Sequence, residues 1–246
     1  MIDLEDHQPF ASGSNRHCYR HPDDPTLCLK VLRPENIEAR FRRQSWPKKV
    51  LGKRRINDNL QELRAHRQHA IEALIANGQR SLLWSHLPRF HGTVATSQGE
   101  ANVSELIAGS DGGPAETLEH HLKHQGFTQP IQSAVARFCK WLVETGILTR
   151  NLLPHNLVIA NAAGQPEIFL VDGLGAPAVP DKLAVFPPWR KRYIDRRIRR
   201  LYLRIDWETG DRKQTWESHK GFRSLNSVRM NVSKWRAGLR CHTCRS

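Results

Sequence analysis

The sequence predicts an α+β fold with a small β-rich N-terminal lobe and a mainly helical C-terminal lobe. Three observations predict it. Short strand-like stretches occur at residues 27–32, where apolar residues flank a lysine, and at 103–107, which runs into a glycine-rich connector. Apolar residues recur at helical spacing in residues 131–145 and 189–207. Between those helical stretches, Val158-Ile159, then residues 161–164, then residues 168–171 read as strand, turn and strand. The expected domains are an N-lobe over 1–107, a C-lobe over 108–207 and a loosely held tail over 208–246, where polarity rises and the pattern fades. A chain of 246 residues is ample to bury a core.

Each element follows in order. Residues 10–19 form a small polar turn around Gly13 and Ser14 between extended stretches, and backbone amides in such a turn can approach phosphate oxygens. Leu27-Cys28-Leu29-Lys30-Val31-Leu32 is a strand that carries a lysine among apolar neighbours. Asn59 through His66 is the next helix, and Glu62 is its best-placed carboxylate for Lys30, because acids are scarce between Glu38 and Glu72. Val103 through Ile107 is a strand that runs into a glycine-rich connector, with Glu105 near its end. Helices then occupy residues 118–125 and 131–145, the latter with Ile131, Val135, Phe138, Leu142 and Val143 as its apolar set. In residues 189–207, Ile194, Ile198, Leu201 and Ile205 stand four, three and four apart, so one face is apolar and the others carry arginine. Such a helix packs its stripe on a core or lies on an anionic membrane surface.

Two segments carry chemistry. Thr149-Arg150-Asn151-Leu152-Leu153-Pro154-His155-Asn156 lays over the kinase catalytic-loop pattern H-R-D-L-x-x-x-N with two changes. Asn151 stands where kinases keep the aspartate that accepts the acceptor hydroxyl's proton. Asp172-Gly173-Leu174-Gly175 follows an apolar run, as the kinase metal-binding turn does. Phosphoryl transfer asks a protein to position phosphates and to spread their charge through magnesium held by oxygen ligands. Asn156 and Asp172 supply such oxygens, Lys30 would neutralise phosphate, and Glu62 would hold Lys30. Asn151 can orient a hydroxyl but cannot take its proton, so catalysis would lose its general base.

The turn with Gly13, Leu29-Lys30, Gln61-Glu62-Leu63, the stretch from Leu87 to Val94, the connector, Leu153-Pro154-His155-Asn156 and Val171-Asp172 together resemble the YrbL family, named for the PhoP regulatory network. The resemblance spans roughly residues 4–202. It implies a two-lobed protein-kinase-like fold, with adenine pairing to the connector backbone near Glu105, phosphates at Gly13, Ser14 and Lys30, and ATP with Mg2+ as the cofactors. Members of that family also lack the catalytic aspartate, as Asn151 does here.

Composition bounds the partners. Net charge is +14 with a pI of about 10.1. Residues 39–69 hold ten Lys or Arg against Asp58 and Glu62, and residues 189–207 hold eight against Asp195 and Asp206, so these two segments carry the whole excess. They favour a phosphorylated or acidic substrate or partner, and they keep a nucleic-acid-binding protein as an alternative. The five cysteines are odd in number and scattered, which argues against a disulfide framework, and Cys241 and Cys244 lack the second pair a zinc site needs. With no long apolar run and an acidic start at Asp3, Glu5 and Asp6, neither a transmembrane helix nor a secretory signal is expected, and a cytoplasmic location follows. Three functional classes are consistent with these residues: a slow kinase-like phosphotransferase, a catalytically inactive pseudokinase acting as a regulatory binding module, and a basic nucleic-acid-binding protein.

Overall fold

The computed structural model describes residues 1–43, 57–162, 164–175, 181–210 and 216. The chain forms two compact units, residues 1–68 with 88–114, and residues 69–87 with 115–246. Much of the first basic segment, the Cys241 and Cys244 pair and nearly all of the expected tail lie outside the described residues.

Unit 1 is built on an antiparallel sheet of five strands: β1 (Ala11–Ser12), β2 (Arg16–Arg20), β3 (Leu27–Leu32), β4 (Phe90–Thr96) and β5 (Gly99–Glu105). Their spatial order is β1-β2-β3-β5-β4. Side chains alternate between the two faces of a strand, and register decides which ones meet. Leu29 and Val31 join Leu4, Tyr19, Ala101 and Val103 in an apolar cluster on one face. The N-terminal segment closes that cluster. Ile2 bridges Thr96, Ser97 Oγ accepts from the Leu4 amide at 2.9 Å, and Leu4 is fully buried. On the other face, Cys18 pairs with Lys30 and Lys30 with Asn102. Two helices follow β3. Helix α1 (Pro34–Arg42) starts on a proline, and α2 (Asp58–Ala65) starts where the Asn57 side chain accepts from the Leu60 amide at 2.9 Å. A cap of that kind contributes about 1 kcal/mol.

Unit 2 is mainly helical. It begins with α3 (His69–Ala76) and α4 (Arg80–Trp84), which the sequence reading assigns to the N-lobe. The reason for the difference is packing: α3 and α4 both lie against α6 (Gln129–Thr145), and Trp141 Nε1 donates to Leu82 O at 2.7 Å. Helix α5 (Leu118–His124) is capped by Thr117, whose side chain accepts from the His120 amide. Helix α6 buries Ile131, Val135, Phe138 and Leu142 as expected, whereas Val143 is exposed because it points one residue round from Leu142. Gly146 ends α6 in the left-handed region, at φ 66°. Strands β6 (Leu157–Ala162) and β7 (Gln165–Leu170) form the expected hairpin, with a turn shorter than the sequence suggests. After the short α7 (Asp181–Val185) comes α8 (Pro187–Thr209), which buries Ile194, Ile198, Leu201 and Ile205 together with Tyr193. The stripe therefore faces the core of unit 2, and the membrane-surface alternative for that stripe is excluded. No described helix is long and apolar enough to cross a membrane.

Candidate functional site

The face of the unit 1 sheet that carries Lys30 holds a buried polar network. Lys30 Nζ donates to Glu62 Oε1 at 2.6 Å, and Arg16 donates to Glu62 Oε2. Asn102 Nδ2 adds a bond to Glu62 Oε2 at 3.0 Å and one to Asn59 O at 3.1 Å, while Asn59 Nδ2 donates to Lys30 O at 2.9 Å. All five residues are buried. Register explains the assembly: Lys30 and Asn102 are direct partners on β3 and β5, and α2 lays Asn59 and Glu62, one turn apart, across them. Burial alone would push the Glu62 carboxyl up. The Lys30 ammonium and Arg16 guanidinium, with hydrogen bonds from Lys30 and Asn102, outweigh it and hold the group ionised, well below the usual carboxylate range. Arg16, Asn59 and Asn102 are not singled out by the sequence, since nothing local marks an asparagine or arginine that only sheet register brings to a glutamate.

One turn beyond Glu62, His66 stacks on Phe90 with ring centroids 4.4 Å apart, and its buried Nδ1 has no hydrogen-bond partner. Burial lowers its pKa to about 4, with Glu62 pulling it up and Lys30 down. The unfolded histidine, near 6.5, binds protons more readily than the folded one. Its contribution is therefore complete above pH 6.5 and is lost as pH falls toward 4. Glu62, also depressed, adds to the loss as pH falls below 4.5. The unfolding free energy from urea denaturation is expected to decline by at most about 1.4 kcal/mol per pH unit through that window for one such group. His66→Phe, which keeps a ring on Phe90, should flatten the slope. An unchanged slope in that variant would show that His66 does not cause it.

The turn of Gly13 and Ser14 joins β1 to β2. The Gly13 amide donates to Arg16 O at 2.8 Å, Arg33 NH1 donates to Gly13 O at 3.3 Å, and Asn36 Nδ2 donates to Ser14 O at 2.7 Å. The Gly13 N–H is thus spent closing the turn, and a Cβ on Gly13 would meet Arg16 O only at an ordinary 3.7 Å. Glu105, at the end of β5, is engaged twice with Arg89: its amide donates to Arg89 O at 2.8 Å and its Oε2 accepts from the Arg89 amide at 3.2 Å. The connector after it closes on itself, with an Ala108–Pro114 bridge and a Gly109 amide bonded to Gly113 O at 2.8 Å.

In unit 2 the catalytic-like loop and the Asp-Gly turn are clamped together. The Arg150 and Asn151 amides donate to Gly173 O at 2.8 and 3.2 Å, the Val171 amide donates to Asn156 O at 3.0 Å, and Gly175 N donates to Leu148 O at 2.9 Å. Asn156 is buried, and its Nδ2 donates to Asn151 O at 2.8 Å. That bond fixes the amide, leaving Oδ1 as its acceptor end. Asp172 and Asn151 are exposed, and Asp172 Oδ1 accepts from the Gly173 amide at 2.6 Å. Gly173 is required here: at φ 82°, a Cβ on it would lie 2.5 Å from Asn151 O and 3.0 Å from Asn156 Nδ2. From behind, Tyr193 Oη on α8 donates to Thr149 O at 2.9 Å and accepts from Arg197 at 2.6 and 2.9 Å. The structure therefore brings Asn151, Asn156 and Asp172 into one turn-on-loop assembly. Among the described residues no three His, Cys, Asp or Glu side chains group to hold a metal. An amide oxygen and a carboxylate do suit magnesium, which takes few protein ligands and completes its shell with phosphates and water.

Comparison with known protein families decides where the chain belongs: residues 2–209 match the family described as PhoP regulatory network protein YrbL. The chain belongs to that family. It is 27% identical over 212 residues to a protein described as "Uncharacterized protein YrbL" from Escherichia coli (strain K12), covering 83% of this chain and 86% of that protein. The protein of the same description from Shigella flexneri matches to the same extent. Among solved structures, the PknI kinase domain of Mycobacterium tuberculosis is similar at 15% identity with a TM-score of 0.47, covering 93% of this chain and 85% of that one. A single mutant of the same domain gives 16% identity and a TM-score of 0.45, covering 88% of this chain and 79% of that one. The YrbL-family chain has its own kinase-like signature in element order: a lysine on the third strand paired with a glutamate of a following helix, then a catalytic-like loop, a hairpin and an Asp-Gly turn.

Proposed function

We propose that this YrbL-family protein binds ATP with Mg2+ and acts in a PhoP-type regulatory network, with phosphoryl transfer slow for want of a general base. The observation that carries the reading is the buried ion pair of Lys30 with Glu62, held by Arg16 and Asn102. An ammonium fixed in this way suits the neutralising of a phosphate, and the desolvation cost of burying it makes net stability a weak reason for keeping it. Lys30 and Ser14 would serve phosphates, with adenine at the connector beginning at Glu105. Asn156 and Asp172 would hold magnesium, which when bound spreads phosphate charge. Asn151 would orient an acceptor hydroxyl and leave its proton in place, and general base assistance is typically worth about 10²- to 10⁴-fold. That same residue favours a second reading, a pseudokinase in which nucleotide is only a regulatory ligand.

Titration with ATP and magnesium tests the proposal. Ligand at 100 times its Kd should add about 2.7 kcal/mol of stability, roughly 5–10 °C in Tm for a chain of this size. Asp172→Asn, which can still accept from the Gly173 amide, should remove the magnesium-dependent part of that shift. No shift with ATP and magnesium in the unaltered protein sinks the proposal. Asn151→Asp then separates the two readings: phosphate transfer that rises from a measurable baseline marks a slow enzyme, and transfer seen only in the variant marks a pseudokinase.

A further inference from the structure

Three of the six large apolar side chains exposed among the described residues stand within four positions just before α8: Leu183 (36% exposed), Val185 (39%) and Phe186 (53%). Their proximity is covalent and hydrogen-bonded. The end of α6 lies beside the first turn of α8, where a Cβ on the α6 cap Gly146 would come within 2.9 Å of Arg190 Nε. Arg190 in turn bonds through its amide to Phe186 O at 3.0 Å, and the Phe186 amide bonds to Leu183 O at 3.1 Å. From this apolar tip a basic surface runs along α8. Lys191, Arg192, Arg196 and Arg199 are exposed, and the three arginines follow one another at spacings of four and three along one helix face. Across residues 181–206 the acids Asp181, Asp195 and Asp206 stand against nine Lys or Arg and do not balance them. Meanwhile the apolar stripe of α8 is already consumed inside unit 2, so this surface is distinct from the amphipathic pattern visible in the sequence.

We propose that this end of unit 2 docks on an anionic phospholipid bilayer, Leu183, Val185 and Phe186 entering the acyl boundary while the α8 arginines engage headgroup phosphates. Two features favour lipid. Aliphatic side chains held in water beside a row of guanidinium groups match a surface that is apolar within and anionic at its rim. A nucleic acid would satisfy the arginines and leave Leu183 and Val185 with no apolar phase to enter. The exposed tip is also small, which suits reversible peripheral binding.

Co-sedimentation of the full chain with vesicles tests this, using phosphatidylcholine alone and phosphatidylcholine with about a third phosphatidylglycerol, with a DNA duplex as a parallel probe. Binding is expected to the anionic vesicles only. It should weaken about fivefold for each charge removed in Arg192→Gln or Arg196→Gln and fall further as salt rises. Val185→Ser with Phe186→Ser should lower vesicle binding about tenfold or more and leave any DNA binding unchanged. Both variants change exposed residues, and an unaltered melting curve shows they are folded. Equal binding to neutral vesicles, no binding to anionic ones, or vesicle binding that survives the Ser-Ser variant would each overturn the proposal. So would self-association of the chain that the Ser-Ser variant abolishes while no vesicles bind, which would give the face to a second copy of this chain.

Discussion

Glu62→Ala is expected to cost about 3–5 kcal/mol, the usual result of removing one partner from a buried charge cluster. The carboxylate answers two cations at once, Lys30 and Arg16, each buried beneath the sheet, and it accepts from Asn102 as well. Its removal leaves positive charge in a place that water reaches poorly, and the Asn102 amide loses an acceptor. Glu62→Gln should fall between, since the amide oxygen still accepts while the compensating charge is gone. Urea denaturation monitored by a unit 1 probe would measure both. A loss below about 1 kcal/mol for the alanine variant would mean that the cluster is solvated and its charges screened. The ordering matters for nucleotide binding too. Lys30→Ala leaves Glu62 paired with Arg16, so this variant should be better tolerated in stability than Glu62→Ala and still abolish the ATP-dependent shift.

Gly173→Ala is the second large effect, about 2–5 kcal/mol. A side chain at φ 82° is strained by roughly 1–2 kcal/mol, and the added carbon would sit 2.5 Å from Asn151 O. Overpacking of that severity typically adds another 1–3 kcal/mol. The clash falls on the carbonyl to which Asn156 Nδ2 donates, so loop and turn must part, and the magnesium-dependent part of the nucleotide shift should vanish with them. Hydrogen exchange at the Arg150 and Asn151 amides, both bonded to Gly173 O, would report the separation directly. Exchange as slow as in the unaltered chain, together with unaltered stability, would show that the clamp tolerates a side chain and that the contact is not the constraint described.

Local chemistry was legible, and long-range register was not. Lys30 in an apolar run, Glu62 on the helix after it, the Asn151, Asn156 and Asp172 spacing and the buried stripe of α8 are all properties of a few consecutive residues, and each could be read in place. Arg16, Asn59 and Asn102 escaped because their meaning arises only when β2, β3 and β5 align under α2. At Gly13 the amide that a glycine in a polar turn advertises donates within the turn itself, to Arg16 O. Residues 69–87 group with unit 2, which local sequence does not reveal because apolar positions such as Ile71, Leu74 and Leu83 state that they will be buried without saying against what.

That last segment has a practical corollary for anyone dissecting the molecule. The polypeptide leaves unit 1 at residue 68, returns at 88 and departs again after 114, so no single cut yields either half intact. A fragment stopping at residue 107 would carry α3 and α4 as orphans, stripped of the α6 surface that Trp141 and its neighbours provide. To express the sheet by itself, 69–87 would have to be removed and Gln68 rejoined to Pro88.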